Sequence, residues 1–563
     1  MEKIFGIDLG TTNSEIAYWH DGKVTVIPIE HGRLYLPSVV GLDASENIIT
    51  GNEARNQRVL FPDKTICSIK RKMGSGEILK LGNKEFTPAE ISAEILKRLK
   101  KAAEKETGIR VQKAVITVPA YFNDAERRDT IRAGELAGLE VLRIINEPTA
   151  AALAYGAQQV KREKMLVYDF GGGTFDVSLV SIDKGIIEVL ATDGNHRLGG
   201  DDLDSALRER LFSSLPEDTD KNNNRLNVLL TDLAERIKIE LSTKVEVAVN
   251  EGFVASSGGS PLNLETTVSR SSFEADIEDM LHESFQLMEK VIKAAKIEPR
   301  DITRVVLVGG TTYIPRIFRT LRDEYQLDVH REIDPAYCVA MGAAIQGAII
   351  AGENTETILV DVAPHSMGVQ CLTYGLMGIP NFDHFSILIS KNTALPASMN
   401  EIYHTCVENQ EAVEIKVFQG ESPLASKNTQ VGSFIFDGLP KNLPENSEFE
   451  IRFSYNLNGT IEVTAIEKTT GGKKEASFDI NHIQPTSDNT TVLTDRTRID
   501  LEKKKKREYE QLIKLSKKKA GKTESILKKT KILKTALALE QAINERDPDC
   551  HRLAAELKEI TDE

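Results

Sequence analysis

Two stretches with the same order of residue types decide the fold of this chain: Phe5-Gly6-Ile7-Asp8-Leu9-Gly10-Thr11-Thr12-Asn13-Ser14 and Val167-Tyr168-Asp169-Phe170-Gly171-Gly172-Gly173-Thr174-Phe175-Asp176. Each has an apolar run, an acid, a turn of glycine and hydroxyl residues, and a returning strand. Because glycine has no Cβ, the N–H groups of such turns can come close to a phosphate. The acid suits a hydrated Mg²⁺. Two such hairpins a domain length apart predict a duplicated fold that encloses a nucleotide from both sides.

Composition narrows the class of protein. A chain of 563 residues is too long for one core and predicts roughly three or four domains. Its net charge of −14 argues against a general affinity for nucleic acid, which needs a concentrated basic surface. The 5 cysteines form no C-x-x-C pair, so neither a disulfide framework nor a zinc site is indicated. We therefore expect a cytoplasmic globular protein.

Membrane and export signals are also missing from the sequence. The first strand is predicted directly after Met1-Glu2-Lys3, which leaves no room for a secretion leader. The longest weakly polar stretch, Val339 to Gly352, is shorter than the roughly 20 residues of a membrane span. We expect neither export nor a transmembrane segment.

The sequence pattern changes once along the chain. Up to about Gly352, apolar strand-like runs alternate with amphipathic helical stretches, which predicts α/β layers. Beyond Asp361 the pattern has period two, as in Val413 and Ile415, which predicts an antiparallel β domain. Within it Asn458-Gly459 predicts a two-residue hairpin turn.

Two further segments need separate interpretation. The stretch from Glu353 to Val362 contains the apolar Ile358-Leu359-Val360, and it is either the first strand of the β domain or a docking segment that can be switched. From about Thr494 the chain is predicted to be helical, with a basic run from Lys503 to Arg507. This run favours a solvated helix face over a nucleic-acid or lipid contact.

The residues around the hairpins offer what phosphoryl transfer to water needs: a phosphate cradle, a metal ion, a positive charge and a group that positions water. Asp8 and Asp169 would bind Mg²⁺ through water, and Lys70 would supply the charge. Taken alone, Lys70 is more often a surface lysine and Glu147 more often a helix cap. H-E-x-x-H, Walker and G-x-G-x-x-G motifs are absent from the sequence, which disfavours zinc peptidases, P-loop NTPases and dinucleotide enzymes.

Longer stretches resemble one family, the seventy-kilodalton heat-shock chaperones of the DnaK type, from Gly6 to about Ile483. Besides the two hairpins they are Val118-Pro119-Ala120-Tyr121-Phe122-Asn123-Asp124, Ile145-Asn146-Glu147-Pro148-Thr149-Ala150-Ala151-Ala152, Leu198-Gly199-Gly200-Asp201-Asp202 and Val308-Gly309-Gly310. The resemblance implies a duplicated, actin-like α/β ATPase domain (1–354), an interdomain linker (355–363), an antiparallel β-sandwich that binds peptide (364–490) and a short α-helical, lid-like tail (491–563). The implied function is ATP-dependent binding of extended apolar segments of unfolded proteins.

The resemblance also implies roles around the nucleotide. Asp8, Glu147 and Asp169 would surround the hydrated Mg²⁺, and Asp8 with Asp176 would also bind K⁺. The residues implied in catalysis are Lys70, Glu147, Asp169 and Thr174. The residues implied in ATP binding are Gly10, Thr11, Thr12, Asn13, Gly171, Gly172, Gly173, Gly199, Gly200, Glu235, Lys238, Ser242, Gly309, Gly310 and Tyr313.

A second set of implied residues concerns peptide binding and coupling. The residues implied to line the peptide groove are Val369, Leu372, Tyr403, Cys406, Val413 and Ile415. Without the resemblance, a plain β-sandwich core explains Val413 and Ile415 equally well. The residues implied in the relay and the linker are Pro119, Arg127, Arg143, Asn146, Thr149, Ile358, Leu359, Val360 and Asp361. Of these, Arg143, Asn146 and Thr149 would contact a J-domain co-chaperone, and a nucleotide exchange factor is a further implied partner.

The chain departs from the family pattern at several places. Tyr313 replaces the usual arginine against adenine, where an aromatic ring would also stack. Ala336-Tyr337 replaces an acidic pair, which puts potassium dependence in doubt. The segment from Thr373 to Phe385 is expected to be a longer loop beside the groove, and the tail after Thr494 hardly resembles the family lid. These features are most similar to the short bacterial HscC branch.

Two rival functions stay open at this point. A nucleotide-bound scaffold or exchange-type co-chaperone would use ATP only structurally. A phosphotransferase on the same actin-like fold would need a polar substrate pocket and would have no evident use for the β domain.

Overall fold

The computed structural model describes residues 3–156, 162–217, 219–257, 260–330, 334, 336–353, 358–374, 380–437, 439–440, 443–456, 460–469 and 471–479, together with parts of 509–561. The chain forms two compact units. The first comprises Met1–His365, Lys391–Pro396 and Asn456–Gly459, and the second comprises Ser366–Ser390, Ala397–Tyr455 and Thr460–Glu563.

The first unit combines strands and helices throughout, so the mixed α/β composition predicted from the sequence is confirmed. Strands β1 to β19 are Ile4–Asp8, Asn13–His20, Lys23–Val26, Leu36–Pro37, Val40–Leu42, Ile48–Thr50, Thr65–Ile66, Leu79–Leu81, Lys84–Phe86, Lys113–Val118, Glu140–Asn146, Glu163–Phe170, Phe175–Asp183, Ile186–Asn195, Glu246–Ser257, Ser260–Ser269, Arg304–Val308, Val329–His330 and Ile358–Val360. Helices α1 to α10 are Asn52–Gln57, Pro88–Thr107, Asp124–Leu136, Glu147–Gly156, Gly200–Ser213, Asn224–Leu241, Arg270–Asp276, Glu278–Ala294, Pro315–Arg319 and Cys338–Ile350.

Two sheets of this unit share one strand pattern. In the first, β1 pairs antiparallel with β2 and parallel with β10, β2 pairs with β3, and β10 pairs with β11. In the second, β12 pairs antiparallel with β13 and parallel with β17, β13 pairs with β14, and β17 pairs with β18. The hairpins β1–β2 and β12–β13 therefore occupy the same place in their sheets.

Helices α4 and α10 join the two sheets. Helix α10 packs on β1 and β2, helix α4 packs on β12 and β13, and the two helices pack on each other. Small residues permit this close approach: a Cβ on Gly342 of α10 would lie 1.7 Å from the carbonyl oxygen of Ala150 in α4, and one on Gly6 would lie 2.1 Å from the backbone nitrogen of Ala344. The Ala/Gly-rich stretch of α10 is thus a buried packing element.

Capping residues fix the ends of the helices that flank the first sheet. Helix α2 starts with a capping box between Thr87 and Glu90 and ends at Gly108, which has a φ of 67°. Helix α3 starts with a capping box between Asn123 and Glu126. These local signals set where the chain enters and leaves each helix.

The short strand β19 belongs to the first unit. It pairs parallel with β14, so that Ile186, Ile187 and Glu188 lie opposite Ile358, Leu359 and Val360. Leu359 is buried in the same apolar cluster as α4 and α10. The segment is therefore docked on a sheet of the first unit and is not a first strand of the β domain; that this docking can be switched stays a prediction.

The second unit contains two antiparallel sheets. Strands β20 to β27 are Met367–Tyr374, Pro380–Ile389, Ala397–His404, Ala412–Gln419, Thr429–Asp437, Glu448–Tyr455, Thr460–Glu467 and Lys473–Asp479. Their orders are β21-β20-β23-β24 and β22-β25-β26-β27. The period-two pattern is confirmed, since Phe449, Ile451 and Phe453 of β25 are buried. The predicted turn Asn458-Gly459 lies outside the described residues; β25 and β26 pair antiparallel, with Tyr455 opposite Ile461.

The expected long loop from Thr373 to Phe385 is wrong in its extent. Strand β20 continues to Tyr374 and β21 begins at Pro380, with Tyr374 opposite Pro380 and Thr373 opposite Asn381. Backbone pairing thus extends both strands into the segment, and Phe385 is buried. Leu376, Met377 and Ile379 lie outside the described residues.

The part of the tail that the structure describes is helical, notably residues 512–520. Its buried side chains form one apolar cluster, consisting of Ile513, Ala520, Ile532, Ala536, Leu539, Ala554, Leu557 and Ile560. The basic run from Lys503 to Arg507 lies outside the described residues.

Candidate functional site

The turns of the two hairpins touch each other. A Cβ on Gly172 would lie 1.9 Å from Thr12 Oγ1, and one on Gly173 would lie 2.5 Å from Thr11 Oγ1. A side chain at either glycine would clash, so glycine is required for the two turns to approach this closely. The two turns, which are far apart in the sequence, therefore lie together at one site in the first unit.

Each hairpin carries a pair of acids directly before and after its turn. Asp8 lies opposite Glu15 in the β1–β2 pair, and Asp169 lies opposite Asp176 in the β12–β13 pair. All four side chains are buried. The duplication therefore extends to the carboxyl groups, and Glu15 is the counterpart of Asp176.

Lys70 and Glu147 form a buried ion pair beside these acids. Lys70 lies in a short 3₁₀ turn, Ile69–Lys72, and Glu147 is the first residue of α4. Burial opposes the charge of Lys70, but Glu147 and nearby aspartates outweigh it and raise the pKa of the ammonium group. Burial raises the pKa of Glu147 to about 7, although Lys70 opposes the shift. Lys70 therefore stays charged across the neutral pH range.

The aspartates of the hairpins are also shifted. Burial, followed by the charge of Glu147, raises the pKa of Asp176 to about 8 and that of Asp169 well above its ordinary value. Burial likewise raises the pKa of Asp8, with Lys70 as the main opposing influence. Burial and the charge of Asp8 hold the pKa of Glu15 well above its usual range. The cluster has an excess of buried negative charge that Lys70 alone does not balance.

This donor set fits a divalent cation held with a nucleotide. Carboxylate oxygens are the ligands that Mg²⁺ prefers, and Mg²⁺ usually keeps several of its waters. Among the described residues, no group of three or more Asp, Glu, His or Cys side chains is placed to ligate an ion together. The arrangement fits binding of the ion through water, by Asp8, Glu147 and Asp169.

Neighbouring hydrogen bonds orient two of the carboxyl groups. Thr117 Oγ1 donates to Asp8 Oδ1 at 2.7 Å, and the backbone N–H of Tyr121 donates to Asp176 Oδ1 at 3.2 Å. Both donors lie on β10 or directly after it. The first sheet thus fixes acids that belong to both hairpins. Thr174, which is buried, accepts a bond from Gly171 N through its carbonyl oxygen at 3.0 Å.

Two further glycine turns close around the second hairpin. Gly200 N donates to Gly171 O at 3.0 Å, and Thr311 Oγ1 donates to the same oxygen at 2.8 Å. Gly309 has a φ of 79°, and a Cβ there would lie 2.4 Å from Phe170 O. The predicted glycines Gly199, Gly200 and Gly309 are therefore brought to the turn of the second hairpin, while Gly310 has open space beside it.

The predicted residues of α6 lie on one side of this arrangement. Lys238 Nζ donates to Gly200 O at 3.1 Å and pairs with Asp204 at 2.8 Å. Glu235 pairs with Arg55 at 2.7 Å. Ser242 Oγ donates to Lys238 O at 3.4 Å, so its hydroxyl is turned toward its own helix.

A cavity of about 500 Å³ opens beside these residues. Among the predicted residues it is lined by Thr11, Thr12 and Glu235. Two hydrogen-bonded bridges lie at this cavity: Ser68 Oγ donates to Asp201 Oδ2 at 2.6 Å between two lining residues, and the lining residue Arg71 donates to both oxygens of Asp202 at 3.0 Å. Sequence reasoning missed these bridges.

Tyr313 and Tyr337, two of the departures from the family pattern, lie near Asp334. Tyr313 is 42 % exposed, and its hydroxyl donates to Asp334 Oδ1 at 3.5 Å. Burial, followed by the charges of Asp334 and Glu15, raises the pKa of Tyr337. An exposed aromatic ring at Tyr313 is available for stacking.

The predicted relay residues form a connected buried network. Arg127 donates to Phe122 O at 3.0 Å, to Ala120 O at 3.1 Å and to Asn146 Oδ1 at 2.7 Å. Asn146 Nδ2 in turn donates to Asp361 Oδ2 at 3.4 Å. Asn146 and Thr149 are 6 % and 1 % exposed. In this arrangement neither presents a surface to a partner, which differs from the expected J-domain contact, whereas Arg143 is partly exposed.

A separate cavity of about 840 Å³ lies within the second unit. All six residues predicted for the groove line it, namely Val369, Leu372, Tyr403, Cys406, Val413 and Ile415. They come from both sheets of the unit, and Tyr403 Oη donates to Ser386 Oγ at 2.8 Å across the two. Burial raises the pKa of the Tyr403 hydroxyl, which therefore stays protonated as the donor.

Glu15 is the clearest member of the carboxyl cluster that sequence reasoning missed. A usable signal was present, since Asp8 precedes Glu15 by 7 positions and Asp169 precedes Asp176 by the same 7. In a hairpin with a short turn, equal spacing puts both acids of each pair side by side at the turn.

Comparison with known proteins identifies the family. The family model described as Hsp70 protein matches residues 4–77 and 76–562, so the chain belongs to the Hsp70 family. The chaperone protein DnaK of Thermotoga petrophila is 44% identical over 487 residues, which cover 85% of this chain and 80% of that protein. The DnaK of Thermosipho melanesiensis is 40% identical over 520 residues (91% and 86%), and that of Cyanidium caldarium is 41% identical over 506 residues (85% and 80%).

Family membership settles the general activity. The chain is an ATP-dependent chaperone of the Hsp70 type, an ATPase that binds nucleotide and client peptide. The rival interpretations as a scaffold or a phosphotransferase are thereby set aside. In the part of the chain that the structure describes, no helix has the length and apolar character of a membrane span.

Proposed function

We propose that the first unit hydrolyses Mg-ATP where the two hairpin turns meet, and that the cavity of the second unit holds one extended apolar peptide segment. The observation that carries the first part is the buried carboxyl cluster around Lys70, whose excess negative charge suits a metal-bound nucleotide. The proposed functional boundaries are an ATPase domain at 1–354, a linker at 355–363, a peptide-binding domain at 364–490 and a helical tail at 491–563.

The phosphates would be held by backbone and hydroxyl groups of the two turns. Thr11, Thr12 and Asn13 provide one turn, and Gly171 to Thr174 provide the other. The contact between Gly172 and Thr12 supports this assignment, since it brings both sets of N–H groups to one place. Glu235 and Lys238 of α6, and Ser242 directly after it, would surround the adenosine together with Gly309, Gly310 and Tyr313.

Hydrolysis would depend on the position and charge of Lys70. Glu147 holds its ammonium group in a buried place, where it would orient the terminal phosphate and the attacking water. When bound, Mg²⁺ neutralises part of the phosphate charge. Asp8, Glu147 and Asp169 would hold the ion through water. Thr174 and Asp176 would lie beside the terminal phosphate.

We also propose that Asp8 and Asp176 can bind K⁺. A comparison of the rate of ATP turnover in K⁺ and in Na⁺ tests this proposal.

Peptide binding would combine backbone hydrogen bonds with one apolar pocket. An extended backbone offers the same hydrogen bonds whatever its sequence, and the pocket selects a buried side chain. The convergence of Val369, Val413 and Ile415 from neighbouring strands supports an apolar pocket of this kind. A leucine or isoleucine side chain of the client would fill it.

Coupling would run through the linker strand β19. We propose that ATP favours its docking on β14 and opens the groove, and that hydrolysis releases it and closes the groove. Coupling of this kind is reciprocal. If ATP weakens peptide binding by some factor, peptide must weaken the binding of ATP, relative to that of ADP, by the same factor, which is typically about 5- to 150-fold. Because Asn146 and Thr149 are buried beneath this region, a J-domain partner would act on them after the segment moves. An exchange factor and similarity to the HscC branch stay predictions.

The test is the release rate of a fluorescent apolar peptide from the full-length protein after addition of Mg-ATP or Mg-ADP. We expect faster release with ATP. Val413→Phe should fill the pocket and weaken peptide binding at least about tenfold, which is about 1.4 kcal/mol. Thr429→Phe is the matched control, because it adds the same ring to an exposed position outside the cavity. Release that is indifferent to nucleotide, or undiminished affinity in Val413→Phe, would contradict the proposal.

A further inference from the structure

Two chain segments pair with each other within the first unit beside the relay network. They are residues 361–365, which follow β19, and residues 391–396, which join β21 to β22. Ala363 N donates to Thr393 O at 2.9 Å, Asn392 N donates to Ala363 O at 2.8 Å, and Leu395 N donates to Asp361 O at 2.8 Å. Asn392 Oδ1 also accepts a bond from Thr192 N of β14 at 3.0 Å. The pair of segments is thus docked on β14.

His365 ends the first of these segments and is buried at 6 % exposure. Its ring lies edge-on to the Tyr121 ring, with the centroids 4.6 Å apart. Its Nε2 lies 3.2 Å from the carbonyl oxygen of Tyr121. The imidazole therefore fills an enclosed site between the segment and the loop that precedes α3.

The charged side chains that face this site are mostly cationic. Lys391 lies over the Tyr121 ring at 4.8 Å and pairs with Asp193 of β14 at 3.0 Å. Arg127 of α3 and His196, which follows β14, also act on the imidazole. On the far side of Tyr121 its N–H is bonded to Asp176. Within the described part of the chain, His365 forms no ion pair with a carboxylate, and Asp193 is already paired with Lys391.

We propose that His365 is a proton-sensitive latch: the neutral imidazole keeps segments 361–365 and 391–396 docked on the first unit, and its protonation releases them. Among the described residues, no unpaired carboxylate is placed to balance a second positive charge in this buried site lined by Lys391 and Arg127. The released imidazole is hydrated and can accept the proton without this penalty. The effect on the chaperone cycle rests on the proposed function, but docking itself can be measured independently of it.

The direction and size of the effect follow from linkage. In the docked state burial, then Lys391 and Arg127, lower the pKa of His365 from 6.5 to about 3. A histidine with a lowered pKa favours docking above its released-state pKa, and this contribution is lost as the pH falls below that value. Between pH ~7.5 and ~5.5 the ratio of released to docked protein should rise about tenfold, given a released pKa of about 6.5.

The experiment is hydrogen exchange of the full-length protein with Mg²⁺ and a slowly hydrolysed ATP analogue, corrected for the intrinsic pH dependence of exchange. We expect protection of the amides that bond the two segments to each other and to β14, namely those of Ala363, Asn392, Leu395 and Thr192, to fall about tenfold over this pH range, while strand β17 keeps its protection as an internal reference for folding. His365→Leu should abolish the pH response, and His365→Gln provides a second neutral variant. His196→Gln, which alters a neighbouring histidine, should keep it.

Either of two results would overturn the latch: constant protection in the wild type, or an equal loss in wild type and both His365 variants. If peptide release were indifferent to nucleotide while amide protection still responded to pH, only the proposed coupling would be contradicted. Thus the latch and the chaperone cycle can be refuted separately.

Discussion

Replacing Lys70 by methionine removes the buried ammonium group from the carboxyl cluster and keeps the length of the side chain. Lys70 is 4 % exposed and forms an ion pair with Glu147. Its loss leaves Glu147 buried without that partner and removes the influence that opposes the raised pKa of Asp8. We therefore expect two separable effects, on stability and on hydrolysis.

The magnitudes follow from the burial of the pair. Removing one partner of a buried ion pair typically costs about 3–5 kcal/mol, because the other charge is left unbalanced. Glu147→Gln in the same chain removes that charge, so the double variant should be about 1–3 kcal/mol more stable than the sum of the single effects predicts. Loss of a positioned group that stabilises transition-state charge typically slows the chemical step about 100- to 1000-fold.

Trp19 provides the readout for stability. It is the single tryptophan of the chain and lies in β2 of the first unit. Urea unfolding at pH ~7.5 without nucleotide, followed by its fluorescence, should report this unit. Lys3→Met is the matched control, because the Lys3–Glu353 pair is 3.5 Å long and partly exposed, so its loss should cost at most about 1 kcal/mol. Single-turnover hydrolysis and equilibrium binding of ATP separate chemistry from affinity.

Unchanged single-turnover hydrolysis in Lys70→Met would remove this residue from the mechanism. Strict additivity of Lys70→Met and Glu147→Gln would show that the two groups do not act as a pair. Loss of ATP binding together with hydrolysis would indicate that Lys70 holds nucleotide and does not act in the chemical step.

Two further predictions concern packing and pH. Gly342→Ala places a Cβ 1.7 Å from the Ala150 carbonyl oxygen and should lower the free energy of unfolding by about 3 kcal/mol. Gly252→Ala is the control, because its Cβ would have its nearest atom at 3.9 Å, and it should change the free energy of unfolding little. Equal stability of the two variants would contradict the helix-packing argument. Burial raises the pKa of Glu126 from 4.5 to about 7, so its favourable contribution is lost as the pH rises through 7. Glu126→Gln should therefore gain stability relative to wild type between pH ~5.5 and ~8.5, by about 2 kcal/mol, and a constant difference across that range would refute the assignment.

Local patterns explain which parts of the fold were predictable. The β1–β2 and β12–β13 hairpins follow from apolar runs, acids and glycine turns that are contiguous in the sequence. The period-two alternation of the second unit follows from the alternation of side chains along a strand. In each case the deciding residues are neighbours along the chain, so a single segment contains the whole signal.

The misses involve contacts between two segments, which neither segment displays alone. The expected loop from Thr373 to Phe385 became two strand extensions because β20 and β21 continue to pair. Thr149 was expected to contact a partner; it is buried here, and that contact stays a prediction. The sequence left open where β19 pairs, because an apolar tripeptide can join the β domain or a sheet of the first unit, where it lies. Glu15 could have been found from spacing alone, but its burial beside Asp8 could not.

The sequence by itself determined the two nucleotide-type hairpins, the change from α/β to antiparallel β structure and the resemblance to the Hsp70 family, because these depend on local order and on long matching stretches. Only the tertiary structure decided that the hairpin turns touch, that Lys70 and Glu147 pair among buried acids, and that His365 lies between Tyr121 and Lys391. Burial and electrostatic environment arise from atoms far apart in the chain, and the same residue types on a surface would have ordinary pKa values and no such chemistry.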